Sequence, residues 1–375
     1  MSDRRFTTAQ ARAREDAANF TPRIIPDRAP RTHIVAVGDP QASLAQFLRI
    51  LDLNGLLGED GRLRREVGLI SLGDHFDWGR PEERAAAAAD GTCILAWLAA
   101  HPPDQVQIVV GNHDLARVRE LSAFSQGQYV EAQARADAAL EDAKLTASFQ
   151  SKYPALASPA VISHDYSCFE ERQRTLMTRL LLGKRVRLAV APFPGMLLVH
   201  AGVTVEDLEL LRPAPTHDAV AIAEALNAFL DARVARWKGE GPLDLSPLDV
   251  PGSAAHGEAR GILVHRPANP QLGRIDPKER RRYDPRSLPE NILQVIGHIS
   301  DAKCRKAFGT WVERQPPQPG VLRGLQVSPQ VKYHQGCLDD DRIVFIDGAM
   351  NKVSPFDYEL FDLNLRQPAT PYKPA

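Results

Sequence analysis

Six short apolar segments, each followed by a polar residue, constrain the fold of this chain more than any other feature of its sequence. They lie at His33–Val37, Val67–Leu72, Val106–Val110, Met196–Val199, Ile292–Ile296 and Arg342–Ile346. Short runs rich in β-branched residues are typical of buried strands in parallel or mixed sheets. Helical spacing of apolar residues at Ser43–Leu53 and Pro81–Ala100 falls between them. This alternation predicts an α/β (α+β) fold.

Side chains able to bind metal ions follow the first five segments. They are Asp39, Asp74, Asn112, His200 and His298, and a glycine directly precedes four of the five. In open α/β sheets, ligands bind beyond the carboxyl ends of the strands. Oxygen and imidazole donors gathered there suit divalent or trivalent transition metals. One such residue alone usually marks a turn, but five in succession predict a metal centre.

We interpret the chain as an N-terminal arm at 1–31, one domain at 32–365 and a C-terminal tail at 366–375. The arm is polar and charged, so we expect it to be loose, with a single short helix. Insertions at about 115–184 and 203–290 interrupt the alternation of strands and helices. The first is rich in Ala, Gln and charge and is predicted to be mostly helical. Both are expected to cover one face of the core.

Charge and cysteine content restrict the partners and the compartment. The 375 residues include 46 Lys plus Arg and 47 Asp plus Glu, giving a formal net charge of -1. This balance argues against bulk binding to nucleic acid or to a membrane surface. No stretch approaches the roughly 20 apolar residues of a membrane-spanning helix. Four separated cysteines and an N-terminus without a secretory pattern predict a cytoplasmic protein.

Taken in order, the strand-end motifs resemble those of the calcineurin-like metallophosphoesterases. The matching segments are Gly38–Gln41, Gly73–Gly79, Gly111–Asp114, His200–Gly202 and Gly297–Ser300. The resemblance covers the core from about 33 to 363. It implies a two-sheet β-sandwich flanked by helices, here with helical and loop insertions. It also implies two metal ions at one edge of the sandwich, with Mn or Fe expected and Zn, Co or Ni compatible.

The resemblance assigns metal-ligand roles to Asp39, Gln41, Asp74, Asn112, His200 and His298. Asp39 and Gln41 would hold the first ion, and Asp74 would bridge both. Asn112, His200 and His298 would hold the second. His113 would protonate the leaving oxygen, a role that suits a group able to carry a proton near neutral pH. Asp114 would orient His113, although helix capping by Asp114 is an equally open interpretation.

Three positions depart from the motifs of the family. Ser300 stands where many phosphodiesterases of the family have a last histidine, which brings the chain nearest to the Ser/Thr protein phosphatases and symmetric diadenosine tetraphosphatases. Gln41 replaces a histidine ligand, and Trp78 replaces a phosphate-binding arginine. Arg80 could substitute for that arginine, although a surface position at a helix start is more frequent. Arg266 is a second candidate for binding the substrate phosphate.

These observations predict a binuclear-metal phosphoric ester hydrolase whose nucleophile is a water that bridges the two metals. A phosphomonoester on a protein or a small molecule is the expected substrate and partner. Gln41 leaves open a nucleotide pyrophosphatase or phosphodiesterase. Gln41 and Trp78 together leave open a non-catalytic metal-binding module of the same fold.

Overall fold

The computed structural model describes residues 2–215, 218–273, 275–276 and 278–369. The α-helices in these ranges are α1 Ser2–Asn19, α2 Leu44–Leu53, α3 Arg84–Ala99, α4 Asn112–Ala116, α5 Gln126–Ala139, α6 Ala143–Lys152, α7 Glu171–Leu182, α8 Val205–Glu209, α9 Ala219–Trp237 and α10 Asp301–Phe308. The first eight strands are β1 His33–Val37, β2 Val67–Ser71, β3 Val106–Val109, β4 Val186–Arg187, β5 Ala189–Phe193, β6 Met196–Val199, β7 Asp249–Val250 and β8 Arg260–Gly261. The others are β9 Arg266–Pro267, β10 Arg282–Tyr283, β11 Leu293–Ile296, β12 Arg323–Gln326, β13 Lys332–Gln335, β14 Ile343–Phe345, β15 Leu360–Asp362 and β16 Gln367–Ala369.

Two six-stranded mixed sheets form the centre of the molecule. Their strand orders are β16-β15-β1-β2-β3-β4 and β13-β12-β14-β11-β6-β5. Within the first sheet β1 to β4 run parallel, and within the second β6, β11 and β14 run parallel. All six predicted apolar segments form strands of these sheets, which confirms that part of the prediction. Parallel neighbours place their carboxyl ends at one edge of a sheet, where the polar residues follow.

The two sheets pack face to face through one apolar layer. This layer contains residues from both sheets, including Ile70, Val109, Leu198, Val295 and Val344, all almost fully buried. The opposite sheet faces pack in a second, larger cluster with apolar residues of the helices. Burial on both faces explains why these strands are almost continuously apolar rather than alternating. The two-sheet sandwich flanked by helices is therefore confirmed.

The N-terminal arm differs from its prediction, because α1 is an 18-residue helix packed against α2 and α3. Ala9 and Ala13 are fully buried on its inner face. Their small side chains allow close approach: a Cβ on Gly61 would lie 2.7 Å from the Ala9 nitrogen. Arg62 donates to Asp16, with 2.7 Å between Nη2 and Oδ1. The arm is thus docked rather than loose.

Both insertions contain helices. The first carries α5, α6, a π-helix at Val161–Asp165 and α7, while the second carries α8 and α9 and then short strands and loops. The C-terminal tail adds β16 to the edge of the first sheet, and its residues 370–375 lie outside the described part of the chain. Across the described residues, no helix has both the length and the apolar character needed to cross a bilayer.

Candidate active site

The five strand-end residues predicted as metal ligands converge at one edge of the sandwich. Ligand atoms of Asp74, His200 and His298 all lie within 4.8 Å of one another. The backbone N–H of His298 donates to both carboxylate oxygens of Asp39, at 3.0 and 2.9 Å. Asn112 Oδ1 lies 3.1 Å from His200 Nε2. Residues far apart in the sequence thus form a single cluster of oxygen and nitrogen donors.

Two glycines leave room for this cluster. A Cβ on Gly111 would lie 2.0 Å from Asp74 Oδ1, and a Cβ on Gly297 would lie 2.0 Å from Asp39 Oδ1. Any larger residue at either position would displace a carboxylate. Asp74 and His298 themselves have positive φ angles of 55° and 64°. Non-glycine residues in this region are strained, and such strain concentrates at functional sites.

Backbone carbonyls fix which ring nitrogen each histidine can offer to a metal. His200 Nδ1 lies 2.7 Å from the Leu72 carbonyl oxygen, and His298 Nε2 lies 3.1 Å from that of Val264. Because a carbonyl only accepts, these nitrogens carry the proton. His200 Nε2, which is 3.3 Å from Asp74 Oδ2, and His298 Nδ1 are left for coordination. A histidine ligand is commonly oriented in this way.

A hydrogen bond to a backbone carbonyl also orients the side chain of Gln41. Its Nε2 donates to the Phe76 carbonyl oxygen at 2.9 Å, which leaves Oε1 as the atom able to coordinate a cation. Gln41 lines the same cavity as Asp39 and Asp74. The amide orientation is compatible with the predicted ligand role, which stays a prediction.

Buried carboxylates give this edge a strong requirement for positive charge. Burial, and then the nearby Asp347, raise the pKa of Asp39 well above its usual range. Burial also disfavours the charge of Asp74, but His200 and His113 outweigh it and lower the pKa of Asp74. Burial opposes protonation of His200, yet Asp74 raises the pKa of His200 to about 10. Oxygen and imidazole donors around two buried carboxylates fit divalent transition metals.

The orienting partner of His113 is Asp77 and not Asp114, which corrects the prediction. His113 Nδ1 lies 3.0 Å from Asp77 Oδ2, while His113 Nε2 faces Asp74 Oδ2 at 3.8 Å. Burial lowers the pKa of His113, but Asp74 and Asp77 outweigh it and raise that pKa to about 9. Burial disfavours ionised Asp77, yet Arg117 outweighs it and lowers the pKa of Asp77.

Asp114 instead holds the backbone around the cluster of candidate metal ligands. Its carboxylate accepts the N–H groups of Gly111 at 2.9 Å and of Asp74 and His75 at 3.0 Å. It also lies 3.1 Å from Nδ1 of the fully buried His75 ring. The acceptance of the Gly111 N–H at the start of α4 agrees with the helix-capping interpretation.

A cavity of about 550 Å³ opens above the cluster and contains one of the two predicted phosphate-binding arginines. Arg266 lines it, whereas Arg80 is exposed at the start of a 3₁₀-helix and is not among the lining residues. Sequence reasoning missed Lys303, which also lines the cavity. Lys303 lies in the first turn of α10, the helix that begins directly after Ser300. A helix predicted to begin at Ser300 would have indicated this residue.

The first insertion supplies residues that no motif indicated. Tyr166 packs edge-on against the His113 ring, with 5.3 Å between centroids, and it lines the cavity. Asp165 lines the cavity beside it, and burial raises the pKa of Asp165. Glu258 of the second insertion also lines the cavity and pairs with Arg281.

Comparison with known proteins places this site in a family. Two solved structures of cold-active protein tyrosine phosphatases, one from a psychrophilic Shewanella species, align with the chain at 13% identity. Their TM-scores are 0.42 and 0.41, and the alignments cover 91% of this chain and 77% and 78% of theirs. Similarity of this degree carries no argument about activity. None of the curated proteins compared with the chain matches it significantly. The model of the calcineurin-like phosphoesterases matches residues 32–219, half of the chain and most of the ligand cluster, so the chain belongs to that family.

Proposed function

We propose that the protein is a binuclear-metal phosphomonoesterase that transfers the phosphoryl group directly to water. The observation that carries this proposal is the position of His113. Its Nδ1 is held by Asp77, and its Nε2 lies 3.8 Å from the central carboxylate Asp74. A proton donor is thus aimed at a cluster of metal ligands, which a non-catalytic metal-binding module would not require.

Six residues would hold the two ions: Asp39, Gln41, Asp74, Asn112, His200 and His298. Asp74 suits the bridging position, because a carboxylate has two oxygens to share. One ligand atom of Asp74 lies within 4.8 Å of those of His200 and His298, and its charge also acts on Asp39, a proposed ligand of the first ion. When bound, two such cations lower the pKa of a shared water and neutralise charge on the phosphate. Their identity, with Mn or Fe preferred, is part of the proposal.

His113 would donate its Nε2 proton to the leaving oxygen. The hydrogen bond from Nδ1 to Asp77 fixes the ring orientation and stabilises the protonated imidazole. The negative charges of Asp74 and Asp77 favour the same protonated form. A general acid of this kind contributes about 10²- to 10⁴-fold to the rate.

Arg266 and Lys303 would bind the phosphate. Both line the cavity, and both act on His298 electrostatically, so their positive charge reaches the metal-ligand cluster. Arg281, a third basic residue of the cavity, is paired with Glu258. Arg266 and Lys303 therefore offer the charge that a phosphate dianion needs, and arginine can meet two phosphate oxygens at once.

The proposal is tested by replacing the proton donor. His113→Ala should lower turnover of an alkyl phosphate such as β-glycerophosphate by about 10²- to 10⁴-fold. Turnover of p-nitrophenyl phosphate should fall much less, because its leaving group needs little protonation. Metal content should stay as in the wild type, since the His113 ring is not among the proposed ligands.

His256→Ala is the matched control, because His256 is exposed and outside the residues that line the cavity. It should leave both turnover numbers unchanged. An equal loss for the two substrates in His113→Ala, or loss of metal from that variant, would contradict the proposal.

A further inference from the structure

A fully buried arginine holds the acidic partner of His113. Arg117 has no exposed side-chain surface, and its two terminal nitrogens donate to the two oxygens of Asp77 at 2.6 and 2.8 Å. Building on the proposed function, we propose that Arg117 is a positioning residue for proton donation: it keeps Asp77, and through Asp77 the ring of His113, aimed at the leaving oxygen.

The remaining hydrogen bonds of Arg117 connect the helix α4 region to the first insertion. Arg117 Nη1 also donates to the His113 carbonyl oxygen at 2.7 Å, and Nη2 donates to that of Cys168 at 3.0 Å. Arg117 Nε donates to Gln173 Oε1 at 3.3 Å. Three segments of the chain therefore meet at one guanidinium.

Cys168 also hydrogen-bonds to Asp77 directly. Its backbone N–H donates to Asp77 Oδ1 at 2.8 Å, so Asp77 receives bonds from the first insertion as well as from Arg117. The Phe76 ring lies 4.6 Å from the Arg117 guanidinium carbon. A carboxylate held at both oxygens cannot rotate without breaking a charged hydrogen bond, which keeps Oδ2 on His113 Nδ1.

Lysine cannot reproduce this geometry although it keeps the charge. A guanidinium presents five donors in a rigid plane, whereas an ammonium is a point charge on a flexible chain. In Arg117→Lys, Asp77 would keep an opposite charge nearby but lose the paired contact that fixes its plane. The expected defect is therefore in orientation of His113 and not in binding of metal.

The chain contains a matched control two residues away. Arg119 is also buried, and its Nη1 lies 2.5 Å from Asp249 Oδ1. The other Asp249 oxygen accepts the Leu263 N–H at 3.0 Å. This second arginine–aspartate pair therefore anchors the second insertion and not Asp77. Arg119→Lys makes the same chemical change in a similar environment.

The experiment compares kcat of Arg117→Lys and Arg119→Lys on β-glycerophosphate and p-nitrophenyl phosphate, at saturating Mn²⁺ and with metal content measured. The kcat of Arg117→Lys on β-glycerophosphate should fall by about tenfold or more, because small displacements of a catalytic group strongly lower the rate. On p-nitrophenyl phosphate its loss should be about threefold or less. Arg119→Lys should keep the wild-type ratio of the two rates.

Equal losses on both substrates in Arg117→Lys, or the same change of ratio in Arg119→Lys, would overturn the proposal. If Arg117→Lys does not fold, Gln173→Met tests the proposal in its place. This variant removes one hydrogen bond of the Arg117 guanidinium while Asp77 stays paired. It should shift the ratio of kcat on the two substrates in the same direction by a smaller factor. An unchanged ratio of the two rates in Gln173→Met would overturn the proposal.

The His113→Ala variant distinguishes failure of this proposal from failure of the proposed function. If His113→Ala loses the same factor on both substrates, the proposed function fails. If His113→Ala loses more on β-glycerophosphate but the Arg117 and Gln173 variants do not, only the role of Arg117 fails.

Discussion

The floor and the wall of the cavity are built in different ways. We call the strand-end residues Asp39, Asp74, Asn112, His200 and His298 the floor, and the cavity residues from the insertions and α10 the wall. Each floor residue lies within three residues of the end of a strand. The wall residues come from loops, the π-helix, the two-residue strand β9 and the first turn of α10.

If the proposed function holds, this difference separates the residues for chemistry from those for substrate selectivity. Strand ends in a packed sandwich are fixed by the register of the sheets, so ligand atoms can be held within a few ångströms of one another. Loops that rest on such a scaffold can change without disturbing it. We therefore expect changes in the floor to abolish turnover, and changes in the wall to alter the binding or orientation of the substrate.

The largest effect is expected from the centre of the floor. Asp74→Asn should reduce hydrolysis to less than about a tenth of the wild-type rate and lower the metal content, because it removes the charge shared by two cations. Asp231→Asn is a suitable control, since Asp231 lies on α9 and pairs with Arg187. Activity and metal content are measured together on folded protein. Full activity of Asp74→Asn would show that the floor does not carry the chemistry.

The floor could be predicted from the sequence because its signals are local. A strand, a glycine and a ligand lie within a few residues, and all six predicted strands are present. The wall depends on where the insertions cross the cavity. No periodicity or motif records that Tyr166 reaches the ring of His113.

Local geometry at the boundary between floor and wall bears on two of the predicted residues. Adjacent residues on a helix point about 100° apart, so Asp114 could not share the direction of His113 on α4. Asp77 reaches His113 from the loop after β2 instead. The closeness of Arg80 to Trp78 favours it as a phosphate-binding residue, but Pro81 begins a 3₁₀-helix that leaves Arg80 exposed, so its role stays a prediction.

The second largest effect is expected on phosphate binding by the wall, with the metal content of the floor unchanged. Arg266→Ala and Lys303→Ala should each raise KM and the inhibition constant for inorganic phosphate by about tenfold, because charge-assisted hydrogen bonds to phosphate are lost. Both ions should remain bound. Arg80→Ala removes an exposed arginine of the same loop region as Trp78 and should change neither constant. If Arg80→Ala weakens phosphate binding and the other two variants do not, the wall has been assigned to the wrong residues.

The smallest effect concerns Gln41, which lies between floor and wall. Its Nε2 is held by the Phe76 carbonyl oxygen, so Oε1 is the atom left for the first ion. A neutral amide oxygen is a weaker donor to transition metals than imidazole. Gln41→Ala should therefore raise the Mn²⁺ concentration for half-maximal activity by several fold, and Gln41→His should lower it by a similar factor.

Gln105→Ala is the control for this comparison, since Gln105 is also a glutamine whose Nε2 donates to backbone carbonyl oxygens, those of Arg64 and Val67. It lies outside the cavity and should not shift the titration. The opposite signs expected for Gln41→His and Gln41→Ala distinguish a ligand from a merely structural residue, because loss of packing could only weaken the site. Superimposed titrations of the wild type and both Gln41 variants would remove Gln41 from the ligands, and the first ion would then depend on Asp39 and Asp74 alone among the proposed side chains.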